Sequence, residues 1–177
     1  MGLQWGVDHA REDQLKFAKH FERAQGWLLL DKFDSALAAL GEIPPGFSAR
    51  PEVVLLCAQI HMAAAQWSLA EPLFRQLVES DADEPLYWVN LAYVVRRAKS
   101  LGEAEPILRE ARERFPTVEL IWFNLACYAA QQNRLDEAHE LLSEALRLEP
   151  QLKEQAKADP DLKPYWDGLA SGSISSS

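Results

Sequence analysis

Apolar residues recur along much of the chain at the spacing of one helix face, in segments separated by short polar breaks. Between residues 86 and 99, Trp88, Leu91, Ala92 and Val95 follow one another at intervals of three, one and three. This spacing places the four side chains on a single stripe of an α-helix. The pattern therefore predicts a helix over residues 86–99.

A second apolar stripe follows after a break at residues 100–102. Ala104, Leu108 and Ala111 lie on one face of a second predicted helix. Pro116 ends this helix, because proline lacks the backbone N–H that a helix interior needs. Together the two stripes predict a helical hairpin.

The predicted hairpin repeats with a period of 34 residues. The segment that begins at Trp88 aligns with the segment that begins at Trp122, and tryptophan, asparagine, leucine, alanine and a closing proline all coincide. The alanines indicate a close helix crossing, where a larger side chain would force the two helices apart. The same step relates three further sets of positions: Ala24, Ala58, Ala92 and Ala126; Ala36, Ala70, Ala104 and Ala138; Leu40, Phe74, Leu108 and Leu142.

Four residues in one register are of types that begin helices well. They predict the starts of the second helices, with Ser68 and Glu71 forming a capping box in which each side chain satisfies a backbone N–H. The four positions are Asp34, Ser68, Gly102 and Asp136.

A hairpin of this kind buries only part of its apolar face, so it needs neighbours stacked against it. The pattern W-x-x-L-A, followed by the spaced alanines and a proline, resembles the tetratricopeptide repeat (TPR) over residues 17–152. In the second unit, Val54 stands in place of the tryptophan, and Cys57 stands in place of the leucine and is expected to lie in the core. The resemblance implies an all-α fold: a right-handed α-solenoid of about four stacked helix-turn-helix units with a C-terminal capping helix.

The resemblance also suggests the organisation of the chain. The segment "LKEQAKADPDLKPYWDGL" is similar to the closing segment of many bacterial TPR arrays. We expect Leu162, Trp166 and Leu169 to cover the last apolar face, and Trp5 and Leu15 to act similarly at the other end. The predicted divisions are an N-terminal helix extension (1–16), a degenerate first repeat (17–50), further repeats at 51–84, 85–118 and 119–152, a capping helix and turn (153–170) and a disordered tail (171–177).

Composition narrows the possible partners. The chain has 177 residues, 48% of them hydrophobic, and a formal net charge of −9. Nucleic-acid backbones and anionic lipids both require clustered Lys and Arg, so neither is an expected partner. The N-terminus has no apolar signal region, and no apolar run reaches membrane-spanning length. We therefore expect a cytoplasmic protein.

Reactive side chains do not form a catalytic or metal-binding pattern. Cys57 and Cys127 stand 70 positions apart and have no metal-ligand spacing. Cys127 precedes His139 by twelve residues, but a lone cysteine without a cationic neighbour is expected to fill a small packing space. We predict no enzymatic activity, no cofactor and no metal site. The histidines are scattered over the predicted helices: His9, His20, His61 and His139.

The predicted binding surface lies on the first helix of each hairpin, since these helices line the concave side of a stacked array. Asn90 and Asn124 share one register, and the resemblance implies an amide that binds a peptide backbone; the alternative is that both are solvated or pack locally. Leu55, Val89, Leu120 and Phe123 are expected to form an exposed apolar patch. The candidate groove residues are Gln59, Met62, Val89, Asn90, Tyr93, Arg97, Leu120, Phe123, Asn124, Cys127 and Gln131.

These residues favour a non-enzymatic scaffold that binds a partner peptide or helix in its groove. TPR domains that clamp an acidic C-terminus present Lys, Arg and Asn at fixed phases, and only Asn90 is retained here, so an apolar or amphipathic ligand is favoured. Two alternatives stay open: a secretion-type chaperone that holds an unfolded client, and a self-associating structural module. The chain could be a monomer or a homodimer.

Overall fold

A computed structural model describes residues 2–172, with side chains described from residue 9 onward. Over this range the chain forms ten α-helices and two 3-10 turns and no strand, so the predicted all-α class is confirmed. It divides into two compact units between Ala82 and Asp83. The helices are α1 (Gly2–Leu29), α2 (Phe33–Gly41), α3 (Pro51–Ala63), α4 (Trp67–Ser80), α5 (Pro85–Ala98), α6 (Leu101–Arg114), α7 (Glu119–Gln131), α8 (Leu135–Leu148), α9 (Leu152–Ala158) and α10 (Lys163–Ala170); the 3-10 turns are Pro45–Phe47 and Pro160–Leu162.

The first unit contains the hairpins α1–α2 and α3–α4. Ala24 and Ala36 are fully buried at the α1–α2 contact, where methyl groups allow two helices to approach closely. The predicted extension 1–16 and the first repeat helix form one continuous helix, α1. Leu15 is 64% exposed, so its expected covering role is wrong. Trp5 lies outside the residues whose side chains are described.

The second unit contains the hairpins α5–α6 and α7–α8 and the C-terminal elements. Ala104 and Ala138 have no exposed surface, and the same is true of Leu108 four residues after Ala104. Their burial confirms that the alanine register lies inside the hairpins. Apolar burial of this kind contributes the main favourable free energy of such a unit.

The second helix of each hairpin begins before its predicted start. The residues that precede these helices are Lys32, Gln66, Ser100 and Arg134, each two positions before the predicted starting residue. Among them only Ser100 caps with its side chain, which accepts a hydrogen bond from the Glu103 N–H at 3.2 Å. The predicted capping box is also wrong, because Ser68 lies inside α4 and Glu71 accepts hydrogen bonds from Arg75.

Backbone geometry explains the shift. Asp31, Ala65 and Asn133 occupy one register and have φ values of 54°, 55° and 58°. One left-handed residue reverses the chain abruptly, so the next helix starts without a conventional side-chain cap. The third hairpin has no left-handed residue at this position and uses the Ser100 cap instead.

The C-terminal elements α9, the Pro160–Leu162 turn and α10 close the second unit. Leu162 is fully buried and Tyr165 is 4% exposed, while Trp166 and Leu169 are half-buried. The Trp166 indole N–H donates to the Ala156 carbonyl at 2.9 Å and thereby ties α10 to α9. The predicted tail extends into residues 173–177, which lie outside the described residues.

No helix within residues 2–172 combines the length and the apolarity that crossing a bilayer requires.

Candidate binding surface

The outward side of α5 is an open stripe of mixed chemistry. Leu86, Val89, Asn90, Tyr93 and Arg97 succeed one another at intervals of three, one, three and four, which puts them on one face of the helix. Leu86 is 51% exposed and Tyr93 42%, and Val89 and Asn90 are half-buried. The buried stripe, which includes Trp88, Leu91 and Val95, is on the other side.

On the corresponding side of α7, two positions are covered and Gln131 is exposed. Phe123 and Cys127 were expected to face a ligand, but each is only 3% exposed, so the expected exposure is wrong for both. Leu120 and Asn124, nearer the start of α7, are half-buried. The Pro160–Leu162 turn packs against α7, which accounts for the burial of Cys127 beside Asp159 and Asp161.

Two contacts hold this turn in place. Arg96 Nη1 donates to Asp161 Oδ2 at 2.6 Å, and the Gln131 side-chain amide donates to the Asp161 carbonyl at 3.0 Å. The Arg96 guanidinium also lies over the Tyr128 ring, 5.2 Å from its centroid. The hydrogen bond to Asp161 raises the pKa of Arg96 above its ordinary value. Gln131 and Arg96 therefore hold the chain's own closing segment.

Sequence reasoning missed the Arg96–Asp161 pair. The two residues stand 65 positions apart and belong to different elements. The available signal was weak: an arginine near the end of α5 and a carboxylate in the D-P-D-L turn, with no spacing rule that relates them.

Cys127 is not placed as a nucleophile. Burial, followed by the nearby Asp159 and Asp161 carboxylates, raises the pKa of its thiol far above the ordinary value, and the thiol rather than the thiolate is a poor nucleophile. His139 Nδ1 makes a 2.9 Å hydrogen bond with the Tyr165 hydroxyl instead. Among the described residues, no group of three His, Cys, Asp or Glu is arranged to hold a metal ion.

The two asparagines of the shared register differ in their hydrogen bonding. Asn124 Nδ2 donates to the Leu120 carbonyl of its own helix at 2.7 Å. Within residues 2–172 the Asn90 carboxamide makes no intramolecular hydrogen bond. A half-buried amide with open donors and an open acceptor can pair with a peptide backbone, so Asn90 is the better candidate for ligand contact.

The remaining candidates belong to the first unit. Gln59 and Met62 lie on α3 and are half-buried, as is Leu55 one turn before them. Their spacing of four and three residues places them on one side of α3.

The repeat pattern has a direct counterpart among known families. Models described as tetratricopeptide repeat match residues 55–119 and residues 119–152, which together make up more than half of the chain. The chain is a tetratricopeptide repeat protein. This membership confirms the resemblance deduced from the 34-residue period, and TPR proteins are typically interaction modules rather than enzymes.

Solved TPR structures share the fold at low sequence identity. MamA is 14% identical, with a TM-score of 0.70, over 88% of this chain and 83% of that one. YrrB, described as a TPR protein with an unusual peptide-binding site, is 15% identical, with a TM-score of 0.65, over 79% and 73%. A thermophilic TPR protein of Thermus thermophilus, TTC0263, is 16% identical, with a TM-score of 0.61, over 90% and 89%. These likenesses show the TPR helical-solenoid fold. No curated protein matches the chain.

Proposed function

We propose that this TPR protein is a scaffold that binds a segment of a partner protein on the outward stripe of α5. Family membership and fold support a protein–protein interaction scaffold in general. The observation that carries the finer proposal is the Asn90 carboxamide, which has no intramolecular partner among residues 2–172 and is flanked by Leu86, Val89 and Tyr93.

The stripe suits an apolar or amphipathic ligand. Leu86 and Tyr93 offer exposed apolar surface, and a tyrosine contributes large contact area at low conformational cost. Asn90 would donate to and accept from the ligand backbone, which fixes its register without selecting a sequence. Arg96 is paired with Asp161, and Arg97 is the one cation among the stripe residues, so strong recognition of a highly acidic ligand is not expected. YrrB, a similar fold, is described as having a peptide-binding site, which agrees with this class of ligand.

The test uses peptides selected from a random display library on the full chain. Their dissociation constants would then be measured against the double variant Asn90→Ala/Tyr93→Ala and against a control, Glu113→Ala/Thr117→Ala, whose residues are exposed near the end of α6. We expect a loss of affinity of about tenfold or more for the first variant, because truncation of a hot-spot residue typically costs about 2 kcal/mol or more and about 1.4 kcal/mol corresponds to a factor of ten. Circular dichroism should show equal helicity for both.

Peptides that bind the Asn90→Ala/Tyr93→Ala variant as tightly as the unaltered chain would place the binding surface elsewhere. A parallel loss in the Glu113→Ala/Thr117→Ala control would show that the effect is not local.

Self-association is a second candidate, favoured by one feature of the first unit. Leu29 is 85% exposed and Leu30 63% exposed at the end of α1, and Trp27 is 36% exposed beside them. Exposed apolar clusters usually mark contact surfaces. If copies of the chain associate here, Leu29→Glu/Leu30→Glu should convert a dimer to a monomer in sedimentation velocity. A monomeric unaltered chain would exclude this candidate.

A further inference from the structure

At two positions of the repeat, the second hairpin carries smaller side chains than the later hairpins. At the tryptophan position of the repeat it carries a valine, and at the leucine position it carries a cysteine. Both replacements remove side-chain volume from one region of the hairpin, and protein interiors are otherwise filled closely. The corresponding residues are Val54, Trp88 and Trp122 at the first position, and Cys57, Leu91 and Leu125 at the second.

A pocket of about 300 Å³ lies at this place, entirely within the first unit. Val54 and Cys57 line it, together with Leu40 of α2 and Leu73 of α4. Ser48 and Gln76 contribute polar groups to its lining. Its volume is at the lower end of the range for ligand pockets, about 300–1,000 Å³, and its main lining is apolar, as such pockets require.

The accessibility of the thiol shows that the space is open. Leu91 and Leu125 are 3% and 1% exposed, whereas Cys57 in the same register is half-buried. The expectation that Cys57 is a core residue is therefore wrong. Partial burial raises the pKa of the Cys57 thiol above its ordinary value.

The fourth hairpin shows which contact the tryptophan at this repeat position makes. The Trp122 indole N–H donates to the Pro116 carbonyl, six residues earlier, at 2.9 Å. Ser48 stands six residues before Val54, and within residues 2–172 its carbonyl accepts no intramolecular hydrogen bond. Ser48, which lines the pocket, thus carries a free carbonyl acceptor in the register where the fourth hairpin places the acceptor of its indole N–H.

We propose that the pocket lined by Val54, Cys57, Leu40 and Leu73 binds the indole ring of a tryptophan side chain supplied by a partner polypeptide. The ring would occupy the space that Trp122 fills in its own hairpin, and its N–H would donate to the Ser48 carbonyl. This site is separate from the α5 stripe and does not depend on it.

The probe is N-acetyl-L-tryptophanamide, which carries the side chain between two peptide bonds. Titration of the full chain, followed by amide chemical shifts, should give saturable shifts around Val54 and Cys57 at millimolar probe, the affinity range of a ligand this small. The same probe should slow the alkylation of Cys57, measured by peptide mass spectrometry so that Cys127 is resolved separately. N-acetyl-L-leucinamide should bind at least about tenfold more weakly, because leucine lacks the indole N–H and the ring area that the pocket would accommodate.

Val54→Trp restores the residue found in the later hairpins and should weaken probe binding by about tenfold or more while raising the melting temperature, because it fills the space. The matched control is Leu69→Trp, which adds an indole at a 51% exposed site of α4 outside the pocket and should leave binding unchanged. If Val54→Trp does not fold, Cys57→Leu decides in its place, and the same loss is expected.

The proposal is overturned if the unaltered chain shows no saturable binding, if the folded filling variant binds the probe as well as the unaltered chain, or if the leucine probe binds equally. Because the α5 stripe is unchanged in Val54→Trp, peptides selected for that stripe should still bind. Failure of one site is thereby distinguished from failure of the other.

Discussion

Helices α5 and α7 carry the same positions of the same repeat, yet the middle of this face is more exposed on α5 than on α7. Tyr93 on α5 is 42% exposed, and Cys127, its register partner on α7, is 3% exposed. The difference comes from the segment that follows α8, since its Pro160–Leu162 turn packs on α7. The repeat register therefore shows which side chains point away from their own hairpin. It does not show whether a later segment of the chain covers them.

Truncating Leu162, a buried side chain of the turn that packs on α7, should have the largest effect on the contrast between α5 and α7. Leu162 is fully buried, and Leu162→Ala should lower the free energy of unfolding by about 2–5 kcal/mol, the usual cost of a buried leucine-to-alanine change. Chemical denaturation would measure the loss. The half-buried Leu169→Ala is the control and should cost less. Equal stability of Leu162→Ala and the unaltered chain would contradict the covering role.

Thiol chemistry can compare the two faces directly. In a Cys57→Ser background, Tyr93→Cys places a thiol on α5 at the register of Cys127. We expect the new thiol to react with a maleimide at least about a hundredfold faster than Cys127, because a buried thiol with a raised pKa is both inaccessible and un-ionised. Mass spectrometry would give both rates from one sample. Comparable rates would mean that the α7 face is open in solution.

Acid should weaken this contrast between α5 and α7, by a smaller amount. Burial opposes ionisation of Glu105, but hydrogen bonds from Gln132, Arg134 and Arg109 outweigh it, so its pKa is lowered. A lowered folded-state pKa gives stability that is present above the unfolded value, near 4.5, and is lost as the pH falls through the folded value. These bonds hold the end of α7 to α6.

As the pH falls from about 5 to about 3, the melting temperature should therefore fall, and Cys127 should become more reactive relative to a Tyr93→Cys thiol. Glu105→Gln is the matched control, because its amide does not ionise, and its melting temperature should change less over this interval. An identical pH profile for the two proteins would remove Glu105 from the explanation.

The architecture follows from the sequence because its signals are local and repeated. Ala104 and Ala138, which are 34 residues apart, reflect the same requirement in each hairpin: the two helices must cross closely. The starts of the second helices were misplaced, since a left-handed residue such as Asn133 takes the role that a capping side chain was expected to have.

The binding surface was only partly predictable. Tyr93 and Asn90 lie where the helix period puts them, but Phe123 and Cys127 are buried, and Cys127 is covered by the Pro160–Leu162 turn, which follows the last repeat. The periodic pattern carries no information about such contacts, because Asp161 lies beyond the last repeat. The sequence shows smaller residues at and beside Cys57 than the repeat has at these positions, but it does not predict the pocket. The space left by a smaller side chain can stay open, or a neighbouring side chain can fill it.

Ala65 has a consequence for how the molecule opens. Asp31 and Asn133 tolerate the left-handed backbone better than alanine does, because alanine has no polar side chain to bond locally and carries about 1 kcal/mol of steric cost there. The hairpin α3–α4 therefore combines a strained bend with an open pocket along one side. Among the four hairpins, its amide protons should be the first to exchange with solvent, so local unfolding of a hairpin would begin at the α3–α4 bend.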